Sequence, residues 1–149
     1  MTTVVYKENL DSVDWTEMKA TLLQDNFDNG RNPEQLRRSF ENSAITCIAY
    51  ADARIIGTVR ALSDGVCNAY IVDVWTLSAY RHQGIASKMM QIVFDKLPGQ
   101  HVYLFTDDAV EFYKKLGFKD QGIGLGKVVG QWLVNDALES ESHPTIAES

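Results

Sequence analysis

Apolar residues recur at helical spacing over residues 14–24, where Trp15, Met18, Leu22 and Leu23 fall on one face. A second helical run is marked at its start. Asn32 offers an N-cap, Pro33 the first helical position and Glu34 a first-turn acid, and Leu36 and Phe40 then share a face. The polar stretch 25–31, which contains Gly30, connects the two. Beyond it the pattern changes. Ile45-Thr46-Cys47-Ile48-Ala49-Tyr50 and Ile55-Ile56-Gly57-Thr58-Val59-Arg60 flank Ala51-Asp52-Ala53-Arg54 and predict a β-hairpin. After a turn at Asp64-Gly65, residues 69–77 are rich in Ile, Val, Tyr and Trp and predict a central strand, with one acid, Asp73, inside it.

From 84 to 97 the helical period returns with Ile85, Met89, Ile92 and Val93, and Pro98-Gly99 stops it. A short strand is expected at 101–106. Asp107 or Asp108 can then cap a helix whose Ala109, Phe112, Tyr113 and Leu116 share a face and which Gly117 ends. Two further strands are expected at 118–121 and 128–133. The order ααβββαβαββ predicts a mixed α/β (α+β) domain around one sheet, occupying residues 1–138. The remainder, from Glu139 to Ser149, is too polar to repay ordering and is expected to be a disordered tail, unless it docks on a second copy of the chain in a homodimer.

Composition narrows the function classes. A chain of 149 residues with 45% hydrophobic and 23% charged residues fits one globular domain. The net charge of −6 sets the surface field against nucleic acid as a main partner, though one cleft can still bind an anion. No stretch approaches the ~18 apolar residues of a membrane span, and the start Met1-Thr2-Thr3-Val4-Val5-Tyr6-Lys7 lacks a signal peptide's regions, so no membrane association and a cytoplasmic location are expected. Cys47 and Cys67 have no C-x-x-C spacing and read as reduced, inert thiols. His82, His101 and His143 show no ligand spacing with them, so no metal site is expected. Gly122-Ile123-Gly124-Leu125-Gly126-Lys127 fails the Walker pattern, with Gln121 at the first glycine and Val128 at the Ser/Thr position, and reads as a flexible connection between strands.

Candidate chemistry concentrates in a few places. Arg81-His82-Gln83-Gly84-Ile85-Ala86 lies between a strand and an amphipathic helix, where free backbone N–H groups and the helix dipole favour an anion. It reads either as a phosphate cradle or as a plain glycine-containing turn. Asp73 is costly in an apolar strand unless paired, hydrated or used. Were the substrate an alkylamine of pKa near 10, its deprotonation at neutral pH would cost about 4 kcal/mol, and Asp73 could accept that proton or bind the ammonium. It could equally be an acid satisfied by a basic partner. Asp107 and Asp108 either line a pocket or cap a helix. Trp15, Phe40, Tyr70 and Trp75 either shape an aromatic site or belong to the core.

Arg81-x-x-Gly84-x-Ala86 matches the R/Q-x-x-G-x-G/A motif of the GCN5-related N-acetyltransferase (GNAT) superfamily, and Ala109-Val110-Glu111-Phe112-Tyr113-Lys114-Lys115-Leu116-Gly117-Phe118 is similar to its A-x-x-F-Y-x-K-L-G-F signature. The chain resembles that superfamily across about residues 45–133, with Ser78 where many members have proline and Ala86 in place of the commoner glycine. The resemblance implies a mostly antiparallel central sheet flanked by helices and acetyl-CoA as cosubstrate. The backbone of Arg81, His82, Gln83, Gly84, Ile85, Ala86 and Ser87 would hold the pyrophosphate. Trp75, Thr76 and Leu77 would lend backbone groups to the pantetheine arm at a bulge-like splay. Tyr113 would protonate the departing thiolate, and direct attack by the amine would need no covalent enzyme intermediate. Residues 61–65 with the following strand are similar to small bacterial and cyanobacterial members, some of which acetylate arylalkylamines, which implies a small-molecule amine acceptor. Protein N-terminal or lysine acetylation, and a non-catalytic CoA-binding or regulatory module, are the alternatives.

Overall fold

The computed structural model describes residues 3–133. Its elements are β1 (Val4–Lys7), α1 (Trp15–Gln24), α2 (Pro33–Glu41), β2 (Ile45–Ala51), β3 (Arg54–Ser63), β4 (Asn68–Thr76), a 3-10 turn (Ser78–Tyr80), α3 (Ile85–Phe94), β5 (His101–Tyr103) and α4 (Val110–Lys115). The five strands lie in one sheet in sequence order, antiparallel except for the last pair. Helices and sheet thus form the mixed α/β arrangement expected. The expected tail from Glu139 onward lies outside the described residues.

Side chains cap the first two helices, and at α2 the cap is the one the sequence suggests. Asp14 accepts from the Glu17 N–H at 3.0 Å to start α1. Asn32 and Gln35 form a reciprocal capping box around Pro33 at the start of α2, which satisfies two N–H groups the helix cannot. The β2–β3 hairpin turns through Asp52 and Ala53, both left-handed with φ of 51° and 66°, the twist that a two-residue hairpin loop needs.

Residues 46–51 of β2 and 55–59 of β3 are buried in unbroken runs, so both faces of the central sheet are covered. On β3, Gly57 lets α3 approach: a Cβ there would sit 2.9 Å from Cε of Met89. Met18, Leu36, Phe40, Ile48, Ile56, Trp75, Met89 and Met90 belong to the core this creates. Trp75 and Phe40 are therefore core, and Trp15 packs on Phe40 with ring centroids 5.6 Å apart.

Four features differ from the sequence reading. A strand, β1, precedes the first helix and pairs Val4 to Lys7 with Ala51 to Ile48 of β2. The strand expected at 101–106 stops at Tyr103, because the chain parts from β4 there. Residues 118–121 and 128–133 form no strand. Gly117, Gly122, Gly124, Gly126 and Gly130 punctuate this stretch, and its Ile123, Leu125 and Val129 are almost fully exposed, so neither local stiffness nor burial favours a strand. Lastly, neither Asp107 nor Asp108 caps α4: its N-cap is Ala109, whose N–H donates instead to Thr106 Oγ1 at 3.0 Å. No described helix is long and apolar enough to cross a membrane.

Candidate active site

The loop between β4 and α3 ends in a helix start with nothing to neutralise it. Gly84 is the N-cap residue, supplies no side chain, and no acid follows in the first turn. The first intrahelical bond runs from Lys88 N to the Gly84 carbonyl, so the N–H groups of Ile85, Ala86 and Ser87 have no helical acceptor. His82 and Gly84 are both left-handed, with φ of 63° and 81°. A Cβ on Gly84 would meet nothing within 4 Å, so glycine serves the left-handed backbone conformation there rather than a close contact. Amides without a helical acceptor and the positive end of α3 together favour an anion.

Arg81 is half-exposed and clips this loop down: its Nε donates to the Thr76 carbonyl at 3.0 Å, and its Nη2 lies 3.5 Å from Asp25. Asp25 is a site residue that the sequence reading missed. It accepts from Trp75 Nε1 at 2.9 Å, from the Ser78 N–H at 3.2 Å and from Ser78 Oγ at 2.5 Å. Burial pushes its carboxyl up, but the hydrogen bonds from Ser78 and Trp75 and the Arg81 charge outweigh it and hold it below the usual carboxylate range. Ser78 replaces proline with an N–H and a hydroxyl, and both are used on Asp25. One signal was available: Asp25 is the C-cap of α1, where the helix dipole disfavours an acid.

A cleft opens where β4 and β5 separate. Their parallel pairing covers only Asn68, Ala69 and Tyr70 against His101, Val102 and Tyr103, and β4 from Ile71 onward has no strand on that edge. The cleft encloses about 610 Å³ between residues 71–74, residues 104–109, residues 26–29 and Tyr113. The splay lies earlier than the expected position at Trp75 to Leu77. Thr58 pairs with Trp75 and Arg60 with Val72, so Asp73 and Val74 together face Val59 in a bulge, and Asp73 takes a φ of 57°. Thr58 Oγ1 donates to the Asp73 carbonyl at 2.8 Å and fixes the bulge.

Asp73 is locked. Its two oxygens accept from Arg31 Nη1 and Nη2 at 2.9 and 3.0 Å, and Oδ2 also accepts from Arg60 Nε. Burial raises its pKa, yet the charges and hydrogen bonds of Arg31 and Arg60 prevail and lower it. A carboxylate with both oxygens held by guanidinium groups is a poor proton acceptor. This is the basic-partner arrangement among the readings left open for Asp73.

Tyr113 lies at the inner wall of the cleft, 8% exposed, with its ring edge-on to Phe112 and Phe118. Its hydroxyl bonds to no described residue, and burial, with Asp108 adding, pushes its pKa up to about 12. Asp107 and Asp108 are exposed residues of the same cleft lining. Tyr70 and Phe105 meet edge-on at 5.9 Å, and with Phe27 they add aromatic rings to the cleft lining. The segment after α4 crosses this mouth: Gly124 lies against Phe105, and Trp132 Nε1 donates to the Asn29 carbonyl at 3.2 Å.

The model of the acetyltransferase (GNAT) family matches residues 8–118. The chain belongs to the GNAT family. A Gibberella zeae protein named as an acetyltransferase candidate is 32% identical in an alignment of 87 positions that covers 50% of this chain and 49% of that one. The chain spans half or less of the length of the curated relatives it matches. The crystal structure of an acetyltransferase candidate from Deinococcus radiodurans superposes with a TM-score of 0.73 at 27% identity, over 85% of this chain and 93% of that one. Glucosamine-6-phosphate N-acetyltransferase from Arabidopsis thaliana shares the fold, with a TM-score of 0.65 at 18% identity over 85% and 98% of the two chains.

In this GNAT chain the residues suit acetyl-CoA, the family's cosubstrate. Uncapped amides at the start of α3 fit a pyrophosphate, and the unpaired edge of β4 fits an amide-bearing arm. The cysteines offer no rival chemistry. Burial pushes the Cys47 thiol up to about 12, and the Asp64 hydrogen bond raises that of Cys67, so neither is a ready nucleophile.

Proposed function

We propose that this protein is an acetyl-CoA-dependent N-acetyltransferase acting on a small primary amine by direct attack. The observation that carries this reading is the unbonded hydroxyl of Tyr113, a largely buried residue that lines a cleft between parted strands. In this reading the amides of Ile85, Ala86 and Ser87, with Arg81 beside them, bind the pyrophosphate, and the strand end from Asp73 to Leu77 guides the pantetheine arm into the cleft. Acetyl-CoA supplies a thioester whose carbonyl the amine attacks. One proton leaves the ammonium before attack. A second leaves the nitrogen as the amide forms and is matched by the proton that Tyr113 gives to the sulfur, so the products are amide, CoA thiol and one proton released to water.

The raised pKa fits this role when the two transfers are coupled. Tyr113 stays protonated throughout the neutral range, and it regains a proton from the nitrogen as it delivers its own. Asp73 is assigned here to holding the β4 bulge rather than to moving protons. Phe27, Tyr70 and Phe105 support an acceptor with an apolar or aromatic body, of the arylalkylamine kind. Tyr113→Phe tests the reading: with an accepted amine, CoA release should fall by about 10²–10⁴-fold, the usual effect of removing a placed acid or base, while acetyl-CoA affinity holds. Equal turnover in the two proteins would remove Tyr113 from the mechanism.

A further inference from the structure

Four aspartates line the cleft, Asp28, Asp73, Asp107 and Asp108, and no lysine, arginine or histidine joins them among the described residues. Two of the four are already neutralised. Asp28 accepts from Lys19 Nζ at 2.6 Å and from the Gly30 N–H at 3.1 Å, and Asp73 is held by Arg31 and Arg60. Asp107 and Asp108 make neither an ion pair nor a side-chain hydrogen bond with any described residue. They do not cap α4, so local structure gives them no employment either. The unneutralised negative charge of the cleft therefore sits on the 104–109 wall. Tyr113, a largely buried residue whose hydroxyl bonds to no described residue, lines the same cavity and marks where a reacting group would lie. Asp108 is close enough for its charge to help raise Tyr113.

We propose that Asp107 and Asp108, not Asp73, seat the acceptor's ammonium group beside Tyr113, and that they restrict the acceptor to amines with no anionic group next to the nitrogen. The inference rests on the acetyltransferase reading and deepens it. A carboxylate with free lone pairs both attracts an ammonium and takes its first proton on the way to water, whereas Asp73 has both oxygens engaged by guanidinium groups. The same two charges repel an acceptor that carries a carboxylate or phosphate beside its amine. Phe27, Tyr70 and Phe105 line the same cavity and suit the remainder of such a molecule.

Phenethylamine and phenylalanine are suitable probes, since they share the body and differ by one carboxylate. Calorimetry on the full chain saturated with CoA should show phenethylamine binding and phenylalanine binding at least about 10-fold more weakly, the scale of a charge contact in a hydrated cleft. In Asp107→Asn/Asp108→Asn the affinity for phenethylamine should fall about 10–100-fold and the gap between the probes should narrow, with CoA affinity unchanged. Asp107→Glu/Asp108→Glu should recover most of the loss, which a merely structural role would not predict. Where turnover is measured, KM for the amine should rise with KM for acetyl-CoA unmoved. Equal binding of phenethylamine by wild type and the double Asn variant, or no binding by wild type, overturns the proposal. Charge-dependent binding without CoA release from acetyl-CoA would instead uphold the ammonium seat and count against the acetyltransferase reading.

Discussion

The two walls of the cleft are built on opposite terms. Along β4 the carboxylate that sequence singles out is engaged: Asp73 by two guanidinium groups, with its carbonyl held by Thr58. Just beyond, the Trp75 indole and Ser78 both end on Asp25. Across the cavity, residues 104–109 leave strand geometry, expose Phe105 at 69%, and carry two carboxylates with no partner among the described residues. A wall whose polar groups bind one another is rigid and costly to alter. A wall whose polar groups face solvent is cheap to vary and free to meet a ligand. The difference teaches that a buried acid in a strand is weak evidence of catalysis until its partners are known.

The largest effect expected from breaking this contrast is at Asp73. Asp73→Ala leaves Arg31 and Arg60 buried without their counter-ion and should destabilise the fold by about 3–5 kcal/mol in urea unfolding. The pH dependence follows from the lowered pKa. Its contribution is complete above the unfolded value of about 4 and is lost as pH falls through the lower folded value. Wild type should therefore lose stability steeply on acidification below about pH 4, and the variant should show a shallower acid limb. A stability close to wild type at neutral pH would mean that the triad is dispensable.

Much of the frame around the cleft was legible because its causes are local. Asn32, Pro33 and Gln35 lie within four consecutive positions, and the hairpin turn, the Gly84 helix start and the Tyr113 helix are each set by neighbours in sequence. What escaped was long-range. Asp73 meets Arg31 across 42 positions and Arg60 across 13, and Asp25 meets Trp75 across 50, so no periodicity reports them. Four-residue β1 exists because β2 offers an edge, not because of its own pattern. The strands expected at 118–121 and 128–133 failed for the converse reason. Val128-Val129 has strand propensity, but glycines surround it and burial does not reward it.

A smaller effect should separate architecture from coenzyme binding at Asp25. Asp25→Asn presents at least one donor where Trp75 Nε1, Ser78 N and Ser78 Oγ all donate, and it removes the charge facing Arg81. Stability should fall by about 1–3 kcal/mol, the range for a buried donor left without its acceptor. Because the same contacts hold the β4 end to the anion loop, KM for acetyl-CoA should rise by about 10-fold while KM for the amine changes little, as expected for a misplaced positioning group. If both KM values rise together, Asp25 supports the whole cleft rather than its coenzyme half.

The smallest expected effect is the one that most sharpens the contrast: Asp107→Asn/Asp108→Asn should alter folding stability by no more than about 0.5 kcal/mol, as surface substitutions usually do. Neither carboxylate has a partner to lose among the described residues, and both residues are exposed, so no buried group is orphaned. Two small terms oppose each other. Relief of repulsion between adjacent charges, within a chain of net charge −6, favours the variant. Loss of negative charge near the start of α4 disfavours it by about 0.3–1 kcal/mol at most, and α4 is only six residues long. Urea midpoints for wild type and variant should therefore nearly coincide at neutral pH. The tyrosine titration should not: without Asp108 the Tyr113 hydroxyl loses one of the two influences that raise it, so its pKa should move back toward the ordinary phenol value. The difference in absorbance between each protein and its Tyr113→Phe counterpart isolates that titration. A large loss of stability in the variant would show that this wall holds the fold together as firmly as the one across from it.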